Sequence, residues 1–189
     1  MPGTRQFDES QVLDAMMRVF WRQGFDATSI DDLVGATGLK RGSLYNAFGD
    51  KAGMFQSTLA LYRSEVLAAL LHALRGDEPK AALTRFFALL AKAADDPERP
   101  RSCMLQDARR CQDRLPPAVA AQAKTEAGAL ETALFELFER SRAAGRRGQH
   151  ADSRALARFY TALARGVMGS DPEPLADIAR IGVDLLEAA

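Results

Sequence analysis

Two short apolar stripes flank a glycine turn between Gly24 and Phe55, in the run GFDATSIDDLVGATGLKRGSLYNAFGDKAGMF, and few folds accommodate that arrangement. Thr28 or Ser29 offers a hydroxyl to cap a helix start. Asp31 and Asp32 then fall in the first turn, where carboxylates suit the positive end of the helix dipole. Ile30, Leu33 and Val34 stand at i, i+3 and i+4, so one face of this helix is apolar. Gly38 can take the left-handed conformation that stops a helix, and Leu39 anchors the turn. A second helix follows from about Lys40 to Phe48, with Leu44 and Phe48 one turn apart on its inward side. Arg41 with Tyr45, and Gly42 with Asn46, are i, i+4 pairs on the outer side. Gly49 and Asp50 end this helix and cap the next, which opens with Lys51. Two helices around a glycine turn, with a further helix start behind them, is the layout of a helix-turn-helix that enters the DNA major groove.

The rest of the chain reads as helix after helix. A first helix over about Glu9 to Arg22 turns Leu13, Met17 and Phe20 inward. A fourth, long helix is expected from Lys51 to about Leu74, broken by Gly76-Asp77. The fifth starts at Pro79 and runs to about Ala94, before the charged loop DDPERPR over 95–101. A short sixth helix spans about Ser102 to Cys111, and the seventh runs from Pro116-Pro117 to about Ala144 with Leu130, Leu134, Leu137 and Phe138 on one side. The segment GRRGQHA over 145–151 reads as a turn. The eighth helix begins near Asp152, Gly169 to Pro174 is another break, and the ninth carries Leu175, Ile178, Ile181 and Leu185. No alternating β-branched run, repeat or low-complexity segment interrupts this pattern. The expected fold is all-α, with about nine helices: a helix-turn-helix domain over 1–50 and a helical body over 51–189.

Charge argues against a non-specific DNA coater. The chain holds 25 basic and 25 acidic residues, for a formal net charge of zero. Over the first 55 residues six positive groups face seven negative ones. Only between Leu39 and Lys51 does the sign turn, with three positives to one negative. A small positive footprint of this kind implies binding that leans on geometry and dimerisation. Apolar content of 47% is ordinary for a globular chain. No run approaches the ~20 apolar residues needed to span a bilayer. The opening residues MPGTRQFDES lack an apolar core, so no secretory leader is expected. Two cysteines do not make a disulfide framework. A cytoplasmic protein without membrane contact is the expectation.

The N-terminal third resembles the DNA-binding domain of the TetR/AcrR transcriptional regulators. The resemblance rests on Phe20, Gly24-Phe25, Ala27-Thr28-Ser29, Ile30, Asp32-Leu33, Ala36, Gly38, Leu39, Arg41-Gly42-Ser43-Leu44-Tyr45, Phe48, Lys51 and Phe55. It implies that helices one to three read a double-stranded DNA operator and that the remainder binds a small-molecule effector. It also implies that the last two helices pair with those of a second subunit. On this reading Lys51 and Tyr45 hold phosphates, while Arg41, Lys40, Ser43 and Asn46 reach base edges. Gly42 lets the backbone approach, and Thr28 and Ser29 complete the DNA-facing set. The pairing faces are Leu156, Phe159, Leu163, Gly166 and Val167 on helix eight, and Ile178, Ile181 and Leu185 on helix nine. Ala162, Gly166 and Gly169 allow close helix approach. The same amphipathic faces can instead pack on their own subunit.

An effector cavity draws on aromatic and sulfur side chains: Phe86, Phe87, Phe135, Phe138, Tyr160 and Met168. At helical spacing these also serve as plain core. Tyr62, Gln106 and Arg110 either orient a polar group of the effector or remain solvated. The run Ser102-Cys103-Met104-Leu105 resembles a Gly-Cys-Leu-Leu run in one branch of the family, with Arg101-Ser102 where that pattern has glycine. A helix start and flanking arginines favour a reactive Cys103 thiolate; the alternative is a small buried apolar residue. Cys103 and Cys111 stand eight residues apart, too far along one helix for a disulfide.

Catalytic and metal signatures are missing from the sequence. His72 and His150 are isolated, and no phosphate loop, nucleophile elbow or dinucleotide fingerprint occurs. No cofactor and no metal are expected. Two readings from different classes follow. One is a homodimeric, ligand-responsive DNA-binding regulator, a repressor released from a palindromic operator by its effector. The other is an all-α ligand-binding or interaction protein, or a small helical enzyme, that keeps the helix-turn-helix without using it.

Overall fold

The computed structural model describes residues 7–96, 99–145, 152–168 and 172–187, the last stretch with side chains for 177–186. Arg5, Gly169, His150 and most of the expected turn over 145–151 therefore lie outside the described residues, as do Pro97 and Glu98 of the charged loop and the side chain of Leu175. Ten α-helical segments are present: α1 Glu9–Ala27, α2 Ile30–Thr37, α3 Arg41–Phe48, α4 Lys51–Tyr62, α5 Ala68–Ala73, α6 Pro79–Ala94, α7 Met104–Arg110, α8 Pro117–Ala143, α9 Ser153–Met168 and α10 Pro172–Asp184. A π turn over Arg63–Leu67 joins α4 to α5 without a break, so the described residues form nine helices and no strand.

Packing divides the chain into two compact units. One holds residues 1–65 and 104–126, the other 66–103 and 127–189. The first unit is built on α1. Asp8 caps it by accepting the backbone N–H groups of Ser10 and Gln11. Val12, Met16, Met17, Phe20 and Trp21 are buried, so Met16 and Val12 do the packing expected of Leu13, which is only half-buried. Gly24, at φ 78°, breaks the helical path inside α1 and turns the chain towards α2. Phe20 meets Phe55 edge-on with ring centroids 5.0 Å apart, Phe25 closes on the same ring at 5.2 Å, and Trp21 meets Tyr62 at 4.9 Å. These contacts fasten α4 across α1.

In the long fourth helix, burial changes step. Met54, Thr58 and Tyr62 are buried at intervals of four. The next buried position, Leu67, comes five residues on, and Leu70, Ala73 and Leu74 follow at helical spacing. A π turn carries one more residue per turn than an α turn. It re-aims the helix, so that Leu70, Ala73 and Leu74 join the core of the second unit.

That second core holds Leu83, Phe86, Phe87, Leu90, Leu130, Leu134, Leu137, Phe138, Ala157, Tyr160, Ala164, Val167 and Val183. Glu78 caps α6 by accepting the N–H groups of Lys80 and Ala81, with Pro79 in the first turn. The free carbonyls at the end of α5 are taken by two arginines. Arg140 donates to Leu74 and Gly76 oxygens at 3.1 and 2.9 Å, and Arg85 donates to Ala73 and Arg75 oxygens at 3.2 and 2.8 Å. Close approach of α9 and α10 occurs at Gly182, where a Cβ would lie 2.7 Å from a Leu163 methyl. Of the expected small residues, Ala162 and Gly166 are exposed, with nothing within 4 Å of a Cβ at Gly166, and Gly169 lies outside the described residues.

Candidate nucleic-acid interface

The reader is assembled from caps. Ser29, not Thr28, starts α2. Its hydroxyl accepts the Asp32 N–H at 3.1 Å, while the Asp32 carboxylate accepts the Ser29 N–H at 2.8 Å and the Ser29 hydroxyl at 2.7 Å. The Ser29 hydroxyl and then its backbone N–H hold the Asp32 carboxyl below the ordinary aspartate value. Gly38 closes the helix at φ 68°, its N–H donating to Val34. The short turn that follows delivers α3, which sinks Leu44 and Phe48 into the first unit.

With those two side chains buried, the opposite face of α3 is forced outward. Arg41, Gly42, Tyr45 and Asn46 are exposed, and Tyr45 shows 41% of its surface. Lys40 is exposed at the N-cap and makes no side-chain cap. Ser43 is half-buried. No Cβ contact would obstruct a side chain at Gly42, so backbone there is open to an approaching surface. Arg41 does not stand alone: its Nη2 lies 2.5 Å from Asp31 Oδ1, and this bond, with the carboxylate charge, raises the guanidinium pKa further.

Two expected residues behave differently. Thr28 is buried, and its hydroxyl donates to the Gly24 carbonyl at 2.7 Å. Its side chain is therefore withdrawn from any DNA contact and instead secures the α1–α2 corner. Lys51 is half-buried, with its ammonium donating to the Asp26 carbonyl at 3.3 Å and standing 4.6 Å from the Phe25 ring centroid. The Asp26 carboxylate pairs with Arg114 Nε at 2.9 Å, and Arg114 Nη2 reaches Cys111 Sγ at 3.0 Å. Sequence spacing gives no hint of Asp26, Asp31 or Arg114 in these roles, because each pair spans different elements. Gly53 carries no local signal either: a Cβ there would overlap the Phe48 carbonyl oxygen, so only glycine lets α4 start against the end of α3.

The expected effector residues divide between the units. Tyr62, Gln106 and Arg110 belong to the first, where Tyr62 is buried on Trp21, Gln106 is buried and accepts from Arg109, and Arg110 is exposed beside Asp107. Phe86, Phe87, Phe138 and Tyr160 are core of the second unit, with Phe135 and Met168 packed against it half-buried. The Tyr160 hydroxyl donates to the Gly182 carbonyl at 2.7 Å, and burial pushes its pKa up to about 12. Cys103 is half-buried just ahead of α7, and neither cysteine forms a disulfide. On α9, Thr161 Oγ1 and Arg165 Nε are buried one turn apart without a hydrogen-bond partner.

Of the expected pairing residues, Phe159, Gly166, Ile181 and Leu185 are exposed; Leu156, Leu163 and Ile178 are half-buried. Val167 is 3% exposed and packs within its own unit, so it leaves that set. Among the described residues no group of three metal-ligating side chains occurs, and no helix is long and apolar enough to cross a membrane.

Comparison with known proteins sets this geometry in a family. A family model for bacterial regulatory proteins of the tetR family matches residues 12–58. The HTH-type transcriptional repressor ComR of Escherichia coli (strain K12) is 30% identical over 182 residues, covering 92% of this chain and 86% of that protein. The HTH-type transcriptional regulator YezE of Bacillus subtilis (strain 168) is 30% identical over 161 residues, 84% of this chain and 83% of that one. A cysteine-substituted form of the TetR family regulator CifR, solved with 26-base-pair double-strand operator DNA, superposes with a TM-score of 0.83 at 23% identity, over 96% of this chain and 98% of that one. With the exposed face of α3 behind its glycine turn, these matches establish that the chain belongs to the TetR family and is a DNA-binding transcriptional regulator, not an enzyme.

Proposed function

We propose that this regulator is a homodimeric repressor whose grip on a palindromic operator is released by a small-molecule effector. Residues 1–50 read DNA, and 51–189 bind the effector and pair the subunits. The observation that carries the reading is the outer face of α3, where Arg41, Gly42, Tyr45 and Asn46 are exposed behind a buried Leu44 and Phe48. Repression is supported by the likeness to ComR, a repressor, and operator binding by the operator DNA held by CifR.

Pairing is supported by an apolar ridge. Phe159, Ile181 and Leu185 stay 46%, 50% and 47% exposed, three of the five large apolar side chains so exposed among the described residues. A single reader per chain calls for a two-fold partner, and a four-helix bundle from α9 and α10 of two copies covers the ridge. For the effector, the two unpartnered groups on α9 are both donors: the Thr161 hydroxyl and the Arg165 Nε–H. A molecule with an acceptor oxygen, set among aromatic side chains such as Phe135, fits them. Effector binding then favours a subunit geometry in which the recognition helices leave the register of the grooves. Gel shifts on the DNA flanking its own gene, with and without candidate acids and carbonyl compounds, test the reading. A retarded band that the effector abolishes is expected; no band on any duplex overturns it.

A further inference from the structure

The ion pair between Arg41 and Asp31 contributes little to the fold around it. Asp31 does not cap α2, because Ser29 and Asp32 already close that end on each other. Both partners are well exposed, with 56% of the Arg41 and 79% of the Asp31 side chain open to solvent. Such a pair adds little to stability. It also reduces the positive charge at the front of α3, where Lys40 and Arg41 are exposed and phosphates would be drawn. Arg41 occupies the first position of α3, at the positive end of that helix's dipole, where a guanidinium is not favoured without a carboxylate beside it.

What the pair does is fix a direction. We propose that Asp31 is a positioning residue for base recognition: it holds the Arg41 guanidinium away from the phosphates and aims it at a base edge. The inference rests on the reading that α3 enters the major groove. A guanidinium has five N–H donors, and the Asp31 contact is made through Nη2. The remaining donors suit a guanine, which presents O6 and N7 side by side in the major groove for a paired hydrogen bond. A carboxylate at the other edge of the guanidinium repels phosphate oxygens. The arm thus loses affinity for DNA in general and gains selectivity for one base pair. Arg41 also arrives with its rotamer already chosen, so less freedom is lost on binding.

The full-length wild type, Asp31→Asn, Arg41→Ala and the double variant would each be used to select from one pool of randomised duplexes at one salt concentration. Circular dichroism would check that each stays helical. Wild type is expected to enrich a palindrome with a guanine preference in each half. Asp31→Asn and Arg41→Ala should lose preference at that same base pair. Asp31→Asn should bind random duplex several-fold more tightly, and Arg41→Ala should change random binding much less. In the Arg41→Ala background, Asp31→Asn should change the preference no further. The inference is overturned if Asp31→Asn keeps every wild-type preference, or loses one that Arg41→Ala retains. If wild type enriches no sequence, the DNA-reading proposal falls and this inference falls with it. That outcome is distinct from a wild type that selects normally beside an unaltered Asp31→Asn.

Discussion

Arg41 and Lys51 carry the same charge but are held in different ways, and the difference assigns their work. Arg41 is exposed and lies at the front of α3 with a free edge. Lys51 is half-buried, its ammonium bridging the Asp26 carbonyl and the Phe25 ring at the start of α4. A positive group beside a helix start suits a phosphate, which exposed N–H groups there also attract. Lys51→Ala is expected to weaken binding to all duplexes alike and to lower the salt slope by about one phosphate contact, read from binding isotherms across a salt series. Arg41→Ala should lower affinity for the operator by ~10-fold or more and relax preference at one base pair, while leaving random DNA much less affected. Equal losses on specific and random DNA for both variants would refute that division. Most of these side chains were legible from spacing, because Leu44 and Phe48 fix which face of a short helix turns inward. Thr28 was not: Thr28 and Ser29 are adjacent hydroxyls, and only the turn at Gly24 decides which one caps α2 and which is buried.

At the level of elements, caps and one missing Cβ set the geometry of the reader. Ser29→Ala removes the hydroxyl of the α2 capping box and should destabilise the protein by about 1 kcal/mol, measured by denaturant unfolding. Its partner supplies a pH test. The Asp32 carboxyl lies below its ordinary value of 3.8 in the fold. Its stabilisation is therefore complete above that value and is lost as pH falls from it through the lower folded pKa. Asp32→Asn should flatten this acid limb in thermal melts taken from about pH 5 to about pH 2. Gly53 reverses the usual sign of a helix glycine. Alanine normally stabilises such a position, but here its Cβ would meet backbone, the Phe48 carbonyl. Gly53→Ala is expected to cost about 1–3 kcal/mol and to weaken DNA binding, since α3 must shift to relieve the overlap. Melting at or above the wild-type temperature would refute it. The helix starts at Asp50 and Pro79 could be read from residue type alone, because caps are local. The requirement at Gly53 could not, because it comes from the preceding helix's carbonyl.

For the whole molecule, the ridge of Phe159, Ile181 and Leu185 predicts assembly. Wild type should sediment as a dimer at micromolar concentration, and the paired change Phe159→Asp with Ile181→Asp should yield a folded monomer that no longer binds a palindrome. A monomeric wild type that still binds tightly would exclude the dimer. The all-helical body was legible in its order of elements, since apolar periodicity marks each helix. Which face of a body helix is internal was less so: Val167 shares the amphipathic α9 with Phe159, yet Val167 is buried and Phe159 is not. Periodicity locates a stripe, and only packing decides where it ends.

The π turn at Arg63–Leu67 has a consequence for how this helix tolerates change. A single-residue deletion there would leave an unbroken α-helix, with every backbone hydrogen bond available. Yet it would rotate all that follows by about 100°. Tyr62 is held by Trp21 in the first unit, and Leu70 and Leu74 are held by the core of the second, so neither set can absorb that rotation without losing its own packing. The surplus residue works as a phase-shifter for the side chains of one helix, and a more regular helix would be the defective one.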